Sequence, residues 1–477
     1  MGGIMPEMDK NQDLDRREFR RKRRARNQLI AYLVSLVVVI GCGLGLFLGT
    51  KQVLASMEEK RLAEEAQVAA EVAANEEEEM TEPVQEVIEE PVVDPLDELV
   101  DSNIATMTLE EKVAGLFFVT PESITGVGKV VKAGDGTKTA LETYPVGGLI
   151  YFGQNIVSDA QLKEMISNTI MYSKFPLFIG TDEEGGEVSR IAKSGIDVTE
   201  VLTAADIGDG GDPQQASSAA TTIADYMKEY GFNVNFAPVA DVATNPSNEM
   251  IGDRSYGADA TLVASMVKSA VTSYQENGIS ACAKHWPGIG DIAEDLHESA
   301  GTTSKSLEEM RQMEFQPFIA AIEAGTDMIM ASHVSTPEIT GDETPTSLSS
   351  LLITDILRGE LGYQGIVITD AMNMSSITET YSDAEASVKA IQAGVDMILM
   401  PADFKAAYEG VLAAVAEGTI TEERINESLH RIYRIKYSDS LNATTEATDT
   451  ADTTETTETT DTTDTTDTTD TQDVVSE

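Results

Sequence analysis

The sequence predicts an α/β fold, a TIM-type (β/α)8 barrel, in a single domain at residues 99–437 of 477. Short apolar runs alternate with amphipathic helical patterns eight times over this stretch, and polar side chains follow several of the runs. Eight such repeats favour a closed barrel over an open doubly wound sheet. A barrel also collects functional side chains at the carboxyl ends of its strands, which accounts for the polar residues there.

Each predicted strand is a short apolar run between glycine or polar residues. The strands are Gly115–Thr120, Gly147–Phe152, Leu177–Thr181, Val234–Pro238, Ile279–Lys284, Met328–His333, Ile366–Asp370 and Met397–Met400. Helical periodicity predicts helices at Ala160–Tyr172, Pro213–Tyr230, Ala260–Gln275, Leu307–Ala324, Ser347–Leu361, Ala384–Ala393, Asp403–Ala416 and Glu422–Arg434.

The polar residues at the strand ends form the candidate site. Lys284 and His285 end the fifth strand, within a stretch, residues 284–297, that holds two of the four histidines and the single tryptophan. The other strand-end residues are Asp182, Glu183, Glu184, Asp241, His333 and Asp370. Because these ends meet at one face of a barrel, we expect the side chains to share a pocket. His430 lies on a helix, where a surface or packing role is expected.

The N-terminus predicts a membrane anchor. Eight basic residues between Arg16 and Arg26 precede an uncharged apolar run, Leu29–Thr50, which is long enough to cross a bilayer as a helix. The basic segment, residues 1–28, should stay in the cytoplasm, which leaves the rest of the chain outside. The alternatives are a cleaved signal peptide or a lipoprotein cleavage box at Val39–Cys42, although the chain stays apolar to Gly49. Each alternative still places the barrel outside the membrane.

Both flanks of the domain are acidic. Residues 51–98 carry 16 acidic and 3 basic side chains and predict a linker, helical in its early part and extended towards Pro83, Pro91 and Pro95. Residues 438–477 carry 12 acidic and no basic side chains and predict a disordered tail. A calcium-binding repeat is the alternative for this tail, but it lacks the glycines that tight ion-binding turns require.

Charge and cysteine content exclude other classes of protein. The formal net charge is −49, and no basic cluster beyond the N-terminus provides a nucleic-acid footprint. The two cysteines, Cys42 and Cys282, lie in unrelated contexts and do not predict a framework disulfide.

Six motifs, in order along the domain, carry a resemblance to a known family. They are M-T-L-E-E-K-V at Met107–Val113, T-D-E-E-G-G at Thr181–Gly186, N-F-A-P-V-A-D-V at Asn235–Val242, G-D-R-S-Y at Gly252–Tyr256, K-H-W-P-G-I-G with D-L-H at Lys284–His297, and I-T-D-A-M-N-M at Ile368–Met374. From about residue 105 to 437 the chain resembles glycoside hydrolase family 3. The motifs are similar to those of its β-N-acetylglucosaminidase branch.

The resemblance implies a retaining mechanism, in which a carboxylate attacks the anomeric carbon and water later releases the sugar. By its position in the motif the nucleophile is Asp370, and the alternative is an N-cap of the following helix. The acid/base of this branch is a histidine on a mobile loop, steered by an aspartate two residues earlier, which implies His297 and Asp295. An ordinary polar surface loop is the alternative for this pair. The chemistry requires no metal and no cofactor.

The resemblance also implies contacts to the terminal sugar, from Asp182, Arg254, Lys284 and His285, with Arg190 at the pocket rim. Lys284 and Arg254 can instead, or in addition, form buried ion pairs with Asp182 or Asp241. Trp286 either shapes the pocket or packs behind the strand end. His333 either lines the pocket wall or is a hydrogen-bonded core residue, and it has no predicted catalytic role.

The chain departs from the branch at several positions. The loop has Ile289 where the family usually has histidine, Leu296 where it has serine, and Ala300–Gly301 where a proline follows the dyad. Glu183 and Glu187 stand where glutamine and arginine are usual. Without arginine at 187, the resemblance does not carry over recognition of an acidic, lactyl-bearing neighbouring sugar.

The sequence therefore predicts a membrane-tethered, extracytoplasmic exo-β-N-acetylglucosaminidase with a monomeric catalytic domain, acting on peptidoglycan fragments or related amino-sugar oligosaccharides. A β-glucosidase-type family 3 exo-hydrolase is the rival enzyme, although that wider family usually draws its acid from a second domain. A non-catalytic glycan-binding protein is the rival of another class, and the presence of Asp370, Asp295 and His297 argues against it. Phosphate could also replace water as the acceptor, since a histidine leaves less negative charge beside the anomeric carbon than a carboxylate.

Overall fold

The computed structural model describes residues 94–452, with side chains described as far as Ser438. The predicted basic segment, the apolar run at 29–50, the linker up to residue 93 and the tail from residue 453 lie outside the described residues. Between residues 94 and 452, no helix is both long and apolar enough to cross a membrane.

The strands form the barrel that the sequence predicts. In chain order they are β1 (Phe117–Val119), β2 (Gly148–Ile150), β3 (Phe178–Thr181), β4 (Glu183–Gly185), β5 (Val188–Ser189), β6 (Val234–Asn235), β7 (Ser280–Trp286), β8 (Met328–Ala331), β9 (Ile366–Thr369) and β10 (Ile398–Leu399). β4 and β5 form a separate antiparallel hairpin, and the other eight lie in one parallel sheet in which β10 pairs with β1. A parallel bridge between Ile368 and Met397 connects β9 to the segment before β10, so the ring closes through this narrow contact.

Helices surround the strands between residues 94 and 452. They are α1 (Pro95–Thr106), α2 (Leu109–Ala114), α3 (Pro121–Thr125), α4 (Asp135–Thr143), α5 (Asp159–Tyr172), α6 (Ala204–Gly210), α7 (Pro213–Tyr230), α8 (Ala260–Glu276), α9 (Leu307–Gln312), α10 (Phe315–Glu323), α11 (Pro337–Thr340), α12 (Ser375–Thr378), α13 (Asp383–Ala393), α14 (Phe404–Ala416) and α15 (Glu422–Asp452). Short 3₁₀ turns occupy Gly153–Asn155, Ala192–Ser194, Gly252–Arg254 and Thr346–Leu348, and a π-helix occupies Leu351–Glu360.

Side-chain caps fix where several of these helices begin. Ser158 and Ser306 each accept a hydrogen bond from the backbone N–H three residues on, and Gln161 and Glu309 return a bond to the cap residue. Such reciprocal capping satisfies amide groups that the first helical turn leaves without partners. The starts of these helices are therefore encoded locally in the sequence.

An aromatic cluster packs tightly beside the first three strands. The ring of Phe118 on β1 lies 5.1 Å from that of Phe236 and 6.3 Å from that of Phe178, between ring centroids. Gly148 and Gly180 on the neighbouring strands leave the space that this ring needs, because an added Cβ would lie 2.5 Å and 2.8 Å from its atoms. These two glycines are thus required by packing.

Two predicted helices differ in the structure. The one predicted at Leu307–Ala324 divides into α9 and α10 around Met313. Pro317 explains the break, because it has no amide hydrogen and its ring conflicts with the carbonyl of Met313 in a continuous helix. The helix predicted at Ser347–Leu361 is a 3₁₀ turn followed by the π-helix, for which the sequence offers no signal.

The ends of the domain also differ from the sequence boundaries of 99 and 437. α1 begins at Pro95, inside the predicted linker, because Asp94 caps it and Pro95 suits the first helical turn. Arg434 of α15 bonds to Asp97 and, at 3.0 Å, to Asp94, which holds the helix start against the domain. α15 continues to Asp452, inside the segment predicted to be disordered, since extending an existing helix needs no new nucleation.

Candidate active site

Lys284 connects the ends of β3 and β7. Its Nζ atom lies 2.8 Å from Oδ1 of Asp182 and 2.7 Å from Oε1 of Glu184, and only 3% of its side chain is exposed. Burial acts to lower the pKa of Lys284, but the charges of Asp182 and Glu184 outweigh it and raise this pKa above its ordinary value. The amine therefore stays charged in a buried position.

Arg254 binds Glu184 from the other side. Nε and Nη2 of the guanidinium donate to the two oxygens of Glu184, each at 2.8 Å, in the two-pronged geometry that makes such pairs strong. Burial acts to raise the pKa of Glu184, but Arg254 and Lys284 lower it well below its ordinary range. Glu184 is therefore an anion held between two cations. The sequence predicted Asp182 or Asp241 as the partner of Arg254, whereas the observed partner is Glu184.

His285 is oriented by a buried aspartate. Its Nδ1 lies 2.7 Å from Oδ2 of Asp241, while its Nε2 lies 3.5 Å from Nη2 of Arg254. Oδ1 of Asp241 also accepts the backbone N–H of Ile289 at 2.8 Å. Asp241 thus fixes both the imidazole and the start of the loop that follows β7.

Glu183 stands apart from this network, although the sequence places it with the strand-end residues. It is fully buried and accepts the backbone N–H groups of Ile191 and Ala192 and the hydroxyl of Tyr226, at 2.8–3.0 Å. Burial raises the pKa of Glu183 above its ordinary value. Its role is structural, since these bonds hold the segment after the β4–β5 hairpin.

Asp370 follows β9 at the same face of the barrel. Its Oδ1 accepts the N–H of Ala371 at 2.7 Å, and the N-cap of α12 is Met374, so Asp370 caps no helix. Burial acts to raise the pKa of Asp370, but His285, His333, the Ala371 amide and Lys284 lower it below its ordinary value. The carboxylate is therefore ionised at neutral pH. Its Oδ1 accepts the bond from Ala371, and its Oδ2 takes no part in that bond.

Asp295 and His297 form a pair on the loop after β7. Nδ1 of His297 lies 2.8 Å from Oδ1 of Asp295, and the two side chains are 62% and 44% exposed. Partial burial acts to raise the pKa of Asp295, but the hydrogen bonds from His297 and the charges of His297 and Arg254 lower it. The backbone N–H groups of Ser375 and Ser376 donate to the carbonyls of His297 and Leu296, so this loop lies against the segment that follows Asp370.

Arg190 lies at the edge of the network. Its Nη2 is 3.6 Å from Oδ2 of Asp182, its guanidinium lies 5.6 Å from the centre of the Phe152 ring, and its side chain is 34% exposed. The structure therefore brings Asp182, Lys284, Arg254, His285 and Arg190 together, with Asp370 and the Asp295–His297 pair beside them.

The alternatives left open for other residues are resolved by their contacts. Trp286 packs behind β7, with its ring centre 4.6 Å from that of Phe315. His333 is a buried, hydrogen-bonded residue whose Nδ1 lies 2.8 Å from Ser347 Oγ, and burial lowers its pKa. His430 lies 3.2 Å from Asp97 on the domain surface, and Cys282 is a buried free thiol.

Glu184 is the residue whose importance the sequence analysis missed. The sequence placed it at a strand end but not among the candidate binding residues, although Lys284 and Arg254 both bind it. The signal was available in the T-D-E-E motif, because side chains alternate between faces along a strand. Residues 182 and 184 therefore face one way and Glu183 the other.

Comparison with known proteins places the domain. A family model described as "Glycosyl hydrolase family 3 N terminal domain" matches residues 108–435. The chain belongs to this family. Among the side chains that the structure describes, residues 94–438, no group of three or more histidine, cysteine or acidic residues is arranged to hold a metal ion.

Several proteins similar to this chain are named as β-hexosaminidases or β-N-acetylglucosaminidases. Beta-hexosaminidase A of Pseudoalteromonas piscicida is 32% identical over 62% of this chain and 54% of its own length. A beta-hexosaminidase of Nitrosomonas eutropha is 30% identical over 63% of this chain and 88% of its own. A family 3 beta-N-acetylglucosaminidase structure from a Paenibacillus species matches with a TM-score of 0.67 and 36% identity, over 70% of this chain and 63% of that one. The chain thus spans about half of the Pseudoalteromonas protein.

Proposed function

We propose that this family 3 member is a retaining exo-β-N-acetylglucosaminidase. The observation that carries the proposal is the pairing of an ionised Asp370 at the end of β9 with an Asp295–His297 pair on the loop beside it. One group is suited to attack an anomeric carbon, and the other to give and take a proton. Relatives named as β-hexosaminidases support an N-acetylated amino sugar as the terminal residue.

In the first step the free oxygen of Asp370 attacks the anomeric carbon. The glycosidic bond breaks with its electron pair on the leaving oxygen, which takes a proton from Nε2 of His297. Asp295 holds Nδ1 of the same ring at 2.8 Å and supports the imidazole–imidazolium cycle. In the second step Nε2 takes a proton from water, and the water oxygen displaces Asp370 from the sugar.

The terminal sugar would be held by the charged network. Asp182, Glu184 and His285 offer acceptors, and Lys284 and Arg254 offer donors, on rigid strand ends. A sugar with several hydroxyl groups needs such fixed donors and acceptors in a concave site.

We further propose that the substrates are peptidoglycan fragments or related amino-sugar oligosaccharides outside the cytoplasm. The apolar run at residues 29–50 with its basic flank supports tethering to the membrane, and residues 51–93 would serve as a spacer. The domain would act as a monomer at the end of this spacer.

Turnover by the full-length chain tests the proposal. We expect hydrolysis of an aryl β-N-acetylglucosaminide to exceed that of the matching aryl β-glucoside, and Asp370→Ala to abolish it. Equal activity in wild type and Asp370→Ala would disprove the mechanism. A preference for the glucoside would instead favour the β-glucosidase-type rival, and stoichiometric sugar phosphate in phosphate buffer would identify phosphate as the acceptor.

A further inference from the structure

We propose that Leu296 is a positioning residue for this reaction, an apolar anchor that fixes the Asp295–His297 pair beside the turn carrying Asp370. The inference rests on the proposed function. Leu296 itself contacts neither substrate nor the reacting atoms, and it acts through the histidine that follows it.

A second apolar cluster, separate from the barrel core, contains Leu296. We call this group the loop cluster, and its buried members are Ile251, Ile289, Ile292, Leu296, Val334 and Met374. They come from the segments that follow β6, β7, β8 and β9, so four loops at the carboxyl ends of the barrel strands share one small core. Such a core resists displacement because moving any member exposes apolar surface to water.

The anchor separates two exposed polar side chains. The Leu296 side chain is completely buried, whereas the flanking Asp295 and His297 side chains are 44% and 62% exposed. Because Leu296 is buried in the loop cluster, the side chains of Asp295 and His297 on either side of it project towards solvent. The position of the imidazole is thus set by where the leucine inserts.

The loop cluster also contacts the turn of the nucleophile. Met374 is a member, and Ala371, next to Asp370, packs against the cluster. The backbone N–H groups of Ser375 and Ser376 donate to the carbonyls of His297 and Leu296, each at 3.4 Å. The acid/base and the nucleophile are therefore joined through one apolar unit, which sets their spacing.

Gly301 is matched to the anchor. A Cβ at this position would lie 2.7 Å from Cδ2 of Leu296 and 3.2 Å from Cδ1 of Ile292, closer than side chains normally approach. The glycine at 301 therefore leaves the space that the Leu296 side chain occupies in the loop cluster.

Kinetics of the full-length chain on two β-N-acetylglucosaminides test the anchor. In the 2,4-dinitrophenyl glycoside the leaving group departs as an anion and needs no proton. In chitobiose the leaving group is the second sugar, which must be protonated as the bond breaks. Cleavage of chitobiose alone therefore depends on His297 as the acid. We expect Leu296→Ser to lower kcat/KM for chitobiose roughly 10- to 100-fold and that for the dinitrophenyl glycoside less than about threefold. Leu296→Met should restore the chitobiose value.

Three further variants sharpen the test. In a His297→Ala background, Leu296→Ser should cause no additional loss, because the group it positions is absent. Leu162→Ala removes an equally buried leucine from α5 and should leave the ratio between the two substrates unchanged. Gly301→Ala should act like Leu296→Ser, and combining it with Leu296→Val should restore part of the loss. An equal fall for both substrates, or no fall, would overturn the inference.

Hydrogen exchange separates this inference from the proposed function. If the wild type hydrolyses neither glycoside, the function is wrong, yet the anchor still makes a prediction. Amides at residues 288–301 should exchange faster in Leu296→Ser than in wild type, with Leu296→Met unchanged. Unchanged exchange in Leu296→Ser would overturn the anchor whatever the activity.

Discussion

Nδ1 of His285 lies 2.7 Å from Oδ2 of Asp241, and both side chains are buried at the end of β7. The aspartate fixes which ring nitrogen of His285 faces Arg254. Because its other oxygen accepts the N–H of Ile289, one buried carboxylate supports both His285, a proposed sugar contact, and the start of the loop after β7.

Replacing this carboxylate should therefore weaken catalysis without removing a group that contacts the sugar. We expect Asp241→Asn to lower kcat/KM for an aryl β-N-acetylglucosaminide roughly 10- to 100-fold, since a hydrogen bond to a charged group contributes about 1.5–3 kcal/mol. Asp253→Asn, an exposed change in the adjacent turn, is the control and should have little effect. A wild-type kcat/KM in Asp241→Asn would contradict this role for His285.

Glu184 links the site to stability and pH. Its folded-state pKa lies below its ordinary value of 4.5, so its stabilising effect is complete above that value and is lost as the pH falls below it. Glu184→Gln leaves Lys284 and Arg254 without their shared anion, which should cost about 3–5 kcal/mol in free energy of unfolding at pH 7.

Urea denaturation across pH checks this prediction. The difference between wild type and Glu184→Gln should be largest between pH 6 and 7 and shrink below about pH 4, where the unfolded carboxyl is protonated. Glu427→Gln, on the exposed surface of α15, serves as the control for loss of a surface carboxylate. A difference that does not depend on pH would show that the ion pairs do not supply the stabilisation.

The fold was largely predictable because its signals are local. Each of the eight predicted barrel strands overlaps an observed strand, and caps such as Ser158 and Ser306 mark helix starts. The break at Met313 could have been predicted from Pro317 by the same local argument. The π-helix at Leu351–Glu360 could not, since its geometry depends on packing that the sequence does not display.

The sign of the charge at residue 187 should influence which leaving sugar the enzyme prefers. Glu187, where the branch usually has arginine, is 93% exposed and lies 3.8 Å from Lys193. We expect Glu187→Arg to raise kcat/KM for a disaccharide with an acidic, lactyl-bearing second sugar about two- to fivefold relative to chitobiose, because exposed charge pairs contribute about 0.2–1 kcal/mol.

Salt provides the check on that prediction. The gain in Glu187→Arg should shrink at 1 M salt, where the Debye length falls to about 3 Å. Glu417→Arg, at the carboxyl end of α14, carries the same charge change away from the catalytic loops and should not alter the ratio. A gain that persists at high salt would mean that charge is not its cause.

If His297 is the proton donor, its loss should matter more for substrates whose leaving group needs a proton. We expect His297→Ala to lower kcat/KM for chitobiose roughly 10²- to 10⁴-fold while largely sparing a dinitrophenyl glycoside. Azide, which needs no general base, should accelerate release of the trapped sugar in this variant. Equal losses on both substrates would exclude His297 as the acid and return the loop to an ordinary polar role.

The candidate site was predictable in membership more than in arrangement. Lys284, His285 and Asp182 were expected at one barrel face and lie there. The pairing of Arg254 with Glu184, and the burial of Leu296 between two exposed residues, depend on contacts between loops far apart in sequence. Such contacts leave no periodic pattern, so the sequence alone did not define them.

The most direct test of the account is to trap the sugar on the protein. Incubation with a 5-fluoro-N-acetylglucosaminyl fluoride slows release of the intermediate, and intact-mass and peptide mass spectrometry then locate the adduct. We predict one fluorinated N-acetylhexosaminyl group per chain, on the peptide containing Asp370, and none in Asp370→Ala. An adduct on another residue, or turnover of this compound with no adduct at any time, would contradict the mechanism.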